Sequence, residues 1–241
     1  MRPVLPEGAR SARPLPEGPA GLAVKICGLT RPADAALAAR LGAAALGVVL
    51  APSPRMVDPA RAAEVLSGAP PHVARVGVFV DPDPDLVAEV VAACDLDWVQ
   101  LSGREPAVRS LAIMEAARAA APGRRAPGLL RAVHVRAAEG PERFADYPAD
   151  AFLLDAPPLR GRFGGTGRTF DWASVRGLPW PRDRVALAGG LTAENLAKAV
   201  AAVRPAMVDV SSGVETAPGI KDPASLSAFL GRARHLEMEH S

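Results

Sequence analysis

From residue 22 onward, short apolar runs of strand length alternate with longer Ala-rich stretches that carry apolar positions at helical spacing. Eight runs read as strands, over residues 22–27, 44–50, 73–79, 97–101, 129–135, 150–155, 184–188 and 206–210. Between and after them the spacing predicts helices over 32–42, 58–67, 83–94, 104–120, 138–146, 170–176, 192–203 and 222–235. Short buried strands joined by helices imply a parallel sheet, because parallel neighbours need crossover connections. Eight such units predict an α/β fold, a single (β/α)8 TIM barrel over residues 21–236. An open doubly wound sheet fits less well, since no Gly-rich dinucleotide turn follows the first strand.

Residues 1–20 differ. Leu5-Pro6-Glu7-Gly8 recurs as Leu15-Pro16-Glu17-Gly18 among Pro, Gly, Ala and Arg, and the composition predicts a flexible N-terminal extension outside the fold. Prolines and glutamates spoil the amphipathic helix that a transit peptide needs.

Composition narrows the function. The 241 residues are 49% hydrophobic and 22% charged, with net charge +2. The basic residues are mostly scattered Arg, and only 4% of residues are aromatic. A nucleic-acid surface is therefore not expected. The sequence shows no signal peptide and no apolar run of membrane length. With only Cys27 and Cys94 there is no disulfide framework. A cytoplasmic protein with reduced thiols is expected. Cys94 lies in a helical Val/Ala pattern and reads as packing.

Barrel active sites sit at the C-terminal ends of the strands. The residues due there are Cys27, Arg55, Gln100 with Ser102, Asp155, Gly189-Gly190 and Ser211-Ser212-Gly213. Cys27 ends the first run before Gly28; it reads either as a small buried hydrophobe or as a base, for which it must become thiolate. Asp155 ends Phe152-Leu153-Leu154 and reads as a loop cap or as a site carboxylate; as an acid it needs a raised pKa. Gly164-Gly165-Thr166-Gly167, Gly189-Gly190 and Ser211-Ser212-Gly213 follow three consecutive strands. Alone each is a tight turn; together they predict a phosphate site of backbone N–H groups and hydroxyls. Arg55 on the Pro52-Ser53-Pro54 loop is a surface residue or an anion ligand. Lys25 and Asp209 each lie two residues before a site position on strands that close the barrel, which predicts an interior ion pair. The four histidines show no metal spacing, and no metal site is assigned.

Several stretches, in order, then match one family. They are Lys25-Ile26-Cys27-Gly28-Leu29-Thr30, Ser53-Pro54-Arg55, Val76-Gly77-Val78-Phe79-Val80, Val99-Gln100-Leu101, Leu153-Leu154-Asp155, Gly164-Gly165-Thr166-Gly167, Leu187-Ala188-Gly189-Gly190-Leu191 and Val208-Asp209-Val210-Ser211-Ser212-Gly213-Val214-Glu215. The chain resembles the phosphoribosylanthranilate isomerases, (β/α)8 barrels of tryptophan biosynthesis. The resemblance implies an Amadori rearrangement of N-(5-phosphoribosyl)anthranilate to the 1-deoxyribulose 5-phosphate. It also implies Asp155 as general acid, Cys27 as general base, Arg55 on the anthranilate carboxylate, and Gly/Ser loops on the phosphate. Gln100 and Asp209 are expected to be substrate-binding as well. The implied partner is a small phosphorylated aminosugar, with no cofactor, no nucleic acid and no membrane, in a monomer or homodimer. Two positions depart from the family pattern. Ser102 stands where the family has His, and Arg131-Ala132 where it has Lys-Ala. A related aminoaldose-phosphate isomerase, whose barrel pairs two aspartates, is disfavoured by Cys27. A non-catalytic phosphate-binding barrel is favoured only by Ser102.

Overall fold

In a computed structural model, which describes residues 12–18, 22–135, 141–157, 169–175 and 177–238, eight parallel strands close into a barrel in sequence order. They are β1 (Ala23–Ile26), β2 (Ala45–Val49), β3 (Ala74–Phe79), β4 (Trp98–Leu101), β5 (Gly128–His134), β6 (Ala151–Asp155), β7 (Val185–Leu187) and β8 (Met207–Val210). Each lies within a residue or two of the run that predicts it. Closure is made by β1 against β8, with Lys25 opposite Asp209 and Ile26 opposite Val210.

Among the described residues the helical layer holds α1 (Pro32–Arg40), α2 (Pro59–Leu66), α3 (Pro84–Cys94), α4 (Ala107–Ala119), α5 (Leu196–Val203) and α6 (Pro223–Met238). Proline in the first turn starts α1, α2 and α3, where its missing N–H leaves no bond unmade. Asp58 and Asp83 cap α2 and α3 by accepting from the backbone N–H groups of Arg61 and Asp85.

Two predicted helices are corrected. Over 138–146 the described part is a single 3-10 turn at Pro141–Phe144, and over 170–176 it is another at Trp172–Val175. The sequence Gly140-Pro141 interrupts the first, and Gly177, Pro179 and Pro181 follow the second, so neither can propagate. Aromatic residues occupy this part of the layer: Trp180 stacks on Phe152 at 3.7 Å between ring centroids, and Trp172 and Val175 are buried.

Side-chain alternation divides the core. Outward positions of the strands pack on the helices. Inward positions fill the lower barrel with small residues (Ala23, Ala45, Ala132, Ala151, Ala186) around Trp98, Leu130 and Met207. Above them the inward positions turn polar, at Lys25, Gln100 and Asp209. One face of each strand thus gives an apolar floor and a polar mouth.

Part of the predicted extension is seated on that floor. Leu15 is buried in the interior cluster. Arg13 donates from its backbone N–H to Asp150 at 2.9 Å, from Nη1 to the Ala126 carbonyl at 2.8 Å and from Nη2 to Asp97 at 3.1 Å. Its guanidinium also lies over the Trp98 ring. The expectation that the whole segment lies outside the fold is corrected for residues 12–18. Proline-rich composition says nothing about two side chains that find partners.

The candidate active site

A cleft opens at the C-terminal ends of the strands. Its lining includes Cys27, Arg55, Gln100, Ser102, His134, Asp155, Gly189, Gly190, Asp209, Ser211, Ser212 and Gly213. The strand-end residues singled out from the sequence therefore meet in one place. Gly164 and Gly165 lie outside the described residues.

Cys27 directly follows β1, and its backbone N–H donates to the Val210 carbonyl at 2.9 Å. Two residues earlier, Lys25 donates from Nζ to Asp209 Oδ1 at 2.9 Å, fully buried against a carboxylate 8% exposed. The predicted ion pair is present. The Lys25 head and the Cys27 sulfur converge on β2: a Cβ added to Gly47 would lie 3.2 Å from Lys25 Nζ and 3.3 Å from Cys27 Sγ. A side chain there would crowd both groups, so Gly47 gives the ammonium and the thiol room beside each other.

These neighbours set the electrostatics. Burial pushes the Cys27 thiol above its ordinary value, Lys25 pulls the other way, and Asp209 adds to the rise. Burial alone would lower the Lys25 ammonium, but Asp209 and the thiol hold it above its usual value. Asp155 ends β6 and accepts the Ala156 backbone N–H at 2.7 Å. Burial raises its carboxyl to about 6; His134 opposes the rise and Asp209 adds to it. The cleft thus combines a thiol beside a fixed cation with a carboxyl that holds a proton far above the usual range.

Arg55 is buried, not a surface residue. Gly28, at φ 71°, makes this possible: a Cβ there would sit 2.4 Å from Arg55 Cδ and 2.9 Å from Ser211 Oγ. Gly189 and Gly190 after β7 and Ser211-Ser212-Gly213 after β8 bring backbone amides and hydroxyls to adjacent strand ends. Gln100 donates to Ser102 Oγ at 3.2 Å, and its Oε1 has no hydrogen-bond partner among the described residues.

Three residues join the site that strand-end reasoning did not assign. His134 ends β5, opposite Asp155 in register, and lines the cleft. Its Nε2 lies 3.1 Å from the Ser102 carbonyl, so Nε2 carries the hydrogen. The rule that selects Gln100 and Asp155 would have selected it. Glu215 and Lys221 stand behind the site and grip Arg55 and Cys27. They sit on β9 (Glu215–Ala217) and β10 (Ile220–Lys221), an antiparallel ribbon after β8. Pro218-Gly219 marks its turn in the sequence. The Arg131 departure is structural: it faces away from the barrel interior, is ion-paired with buried Glu105 and donates to the Gly103 carbonyl at 2.8 Å.

Comparison with known proteins gives a consistent picture. The family described as N-(5'phosphoribosyl)anthranilate (PRA) isomerase matches residues 24–232. A protein of that name from Cereibacter sphaeroides is 44% identical over 226 residues, spanning 89% of this chain and 100% of its own. One from Pelobacter propionicus is 41% identical, over 90% of this chain and 97% of its own. The crystal structure of the Thermus thermophilus phosphoribosyl anthranilate isomerase superposes with a TM-score of 0.77 at 39% identity, covering 89% and 100% of the two chains. A crystal structure of such an isomerase in complex with reduced 1-(o-carboxyphenylamino)-1-deoxyribulose 5-phosphate superposes with a TM-score of 0.73 at 37% identity, covering 89% of this chain and 99% of that one. Among the described residues no helix is long and apolar enough to cross a membrane.

Proposed function

The chain belongs to the N-(5'-phosphoribosyl)anthranilate isomerase family, and we propose that it performs that family's reaction with Cys27 as general base and Asp155 as general acid. It is an aldose–ketose isomerase of tryptophan biosynthesis, acting on a small phosphorylated substrate. The observation that carries the assignment of roles is one cleft that holds a cation-flanked thiol and a proton-retaining carboxyl together.

The chemistry follows from these groups. Asp155 donates its proton to the ribose ring oxygen as the C1–O bond breaks, and the anilino nitrogen lone pair forms the C1=N Schiff base. Cys27, as thiolate, removes the C2 proton; the C2–H electrons form C1=C2, and the C=N electrons move to nitrogen. The resulting enol-amine becomes the C2 ketone when its hydroxyl proton is lost and C1 is protonated. Arg55 receives the anthranilate carboxylate, as a buried guanidinium suits a planar anion. Gly189, Gly190, Ser211, Ser212 and Gly213, with Gly164 and Gly165, receive the phosphate. Gln100 brings an acceptor atom for a ligand hydroxyl or N–H. Asp209 acts through Lys25, holding the ammonium beside the sulfur, where it favours thiolate. The reading includes a cytoplasmic location, where the thiol stays reduced, and a monomer or homodimer. No cofactor enters any step.

The test is turnover of freshly generated phosphoribosylanthranilate, followed as loss of anthranilate-type fluorescence. Cys27→Ala should fall on the order of 10²-fold or more while still binding the reduced product analogue. A variant as active as the wild type would remove the base assignment.

A further inference from the structure

We propose that Glu215 and Lys221 are positioning residues that hold Arg55 in the orientation needed to receive the substrate carboxylate, and that they tie this orientation to the Cys27 end of β1. The inference rests on the reading that Arg55 binds that carboxylate. Neither Glu215 nor Lys221 lines the cleft, so both act through residues that do.

The geometry is specific. Arg55 Nε donates to both Glu215 oxygens, at 2.9 and 3.1 Å, and Nη2 donates to Oε2 at 2.6 Å. A guanidinium held through two nitrogens has its plane and its rotation fixed. The fork takes up Nε and Nη2 and does not involve Nη1, and Arg55 borders the cleft. Behind the carboxylate, Lys221 Nζ donates to Glu215 Oε1 at 2.7 Å, to the Cys27 carbonyl at 2.5 Å and to the Ser211 carbonyl at 3.3 Å. Three donors of one compact ammonium thus meet three acceptors. The basic residues of this chain are nearly all Arg; its lysines are Lys25, Lys198 and Lys221. Two of these three are buried, and both approach Cys27.

Charge supports the same assignment. Arg55 and Lys221 share one carboxylate, so the cluster keeps a single positive charge, which one ligand carboxylate neutralises. The ribbon that carries both residues is itself anchored: Thr30 Oγ1 donates to the Gly219 carbonyl at 2.6 Å, and the Lys221 backbone N–H donates to Asp34 at 3.0 Å. The arginine and the thiol are thereby referred to one rigid frame.

The test compares two ligands in the full-length protein: reduced 1-(o-carboxyphenylamino)-1-deoxyribulose 5-phosphate and the same compound without its carboxylate. Glu215→Gln should weaken the first by roughly tenfold and leave the second unchanged. Equal weakening of both, unchanged affinity for both, or tighter binding of the first through the added positive charge would each overturn the proposal. Arg55→Met separates the two readings. If it does not discriminate between the ligands, the carboxylate assignment itself fails. If it discriminates and Glu215→Gln does not, only the positioning role fails. Should Glu215→Gln not fold, Glu215→Asp keeps the charge, withdraws the fork by one methylene, and is read in the same way.

Discussion

The two ends of the barrel are built from the same eight strands and solve opposite problems. At the floor, Leu15 closes an interior of alanines around Trp98, and the half-buried guanidinium of Arg13 donates from both terminal nitrogens to partners. At the mouth, the same inward-facing rows carry Lys25, Gln100 and Asp209, with Cys27 and Asp155 at their ends. Burial there shifts both the thiol and the carboxyl upward. The floor is apolar and packed, so it adds stability. The mouth holds charges away from water, which lowers stability unless each is compensated. Confining polar chemistry to one end lets the other carry the fold.

That contrast can be broken most severely at Lys25. Lys25→Met leaves Asp209 buried without its cation and should cost about 3–5 kcal/mol in urea unfolding. It should also depress turnover, because the ammonium beside Cys27 is gone. At the floor, Leu15→Ala empties part of the interior and should cost about 2–3 kcal/mol, with kcat unchanged. A Leu15 variant as stable as the wild type would show that residues 12–18 do not seal the barrel, and one with altered kcat would show that the two ends are not independent.

The sequence reveals these ends unequally. All eight strands are readable because each is a short apolar run with a turn on either side, and the strand-end rule leads from them to the cleft. Helices at 138–146 and 170–176 are not, because apolar spacing there is overruled by Gly140-Pro141 and by the prolines after Val175. Lys25 with Asp209 is predictable, since barrel closure makes the first and last strands neighbours. Arg55 with Glu215 is not: the partners are 160 residues apart, and only a ribbon outside the barrel repeat brings them together. His134 also obeys the strand-end rule, but its role rests on the carbonyl and carboxyl it faces and not on any metal spacing of the histidines. The floor segment is hidden for another reason. Composition averages over a stretch, whereas seating depends on Arg13 and Leu15 alone.

Asp155 gives the smallest expected change in stability and the sharpest test. Its carboxyl moves from 3.8 to about 6 on folding, so the folded protein holds this proton more tightly than the unfolded chain. The stability from that proton is fully present below about 4 and is lost as pH rises through about 6; above that, the ionised carboxylate is a net cost. Roughly 1.4 kcal/mol per pH unit sets an upper bound of ~3 kcal/mol, and cleft water reduces it to ~1–2 kcal/mol. Asparagine keeps the acceptor for the Ala156 N–H but carries no charge and no acidic proton.

The decisive measurement is therefore Asp155→Asn at pH 7.5, with turnover of phosphoribosylanthranilate and thermal unfolding recorded on the same sample. The account predicts a rate lower on the order of 10²-fold or more together with a higher melting temperature. A variant that turns over at the wild-type rate, or that loses activity and also melts lower, would contradict the view that the mouth sacrifices stability for acid–base chemistry.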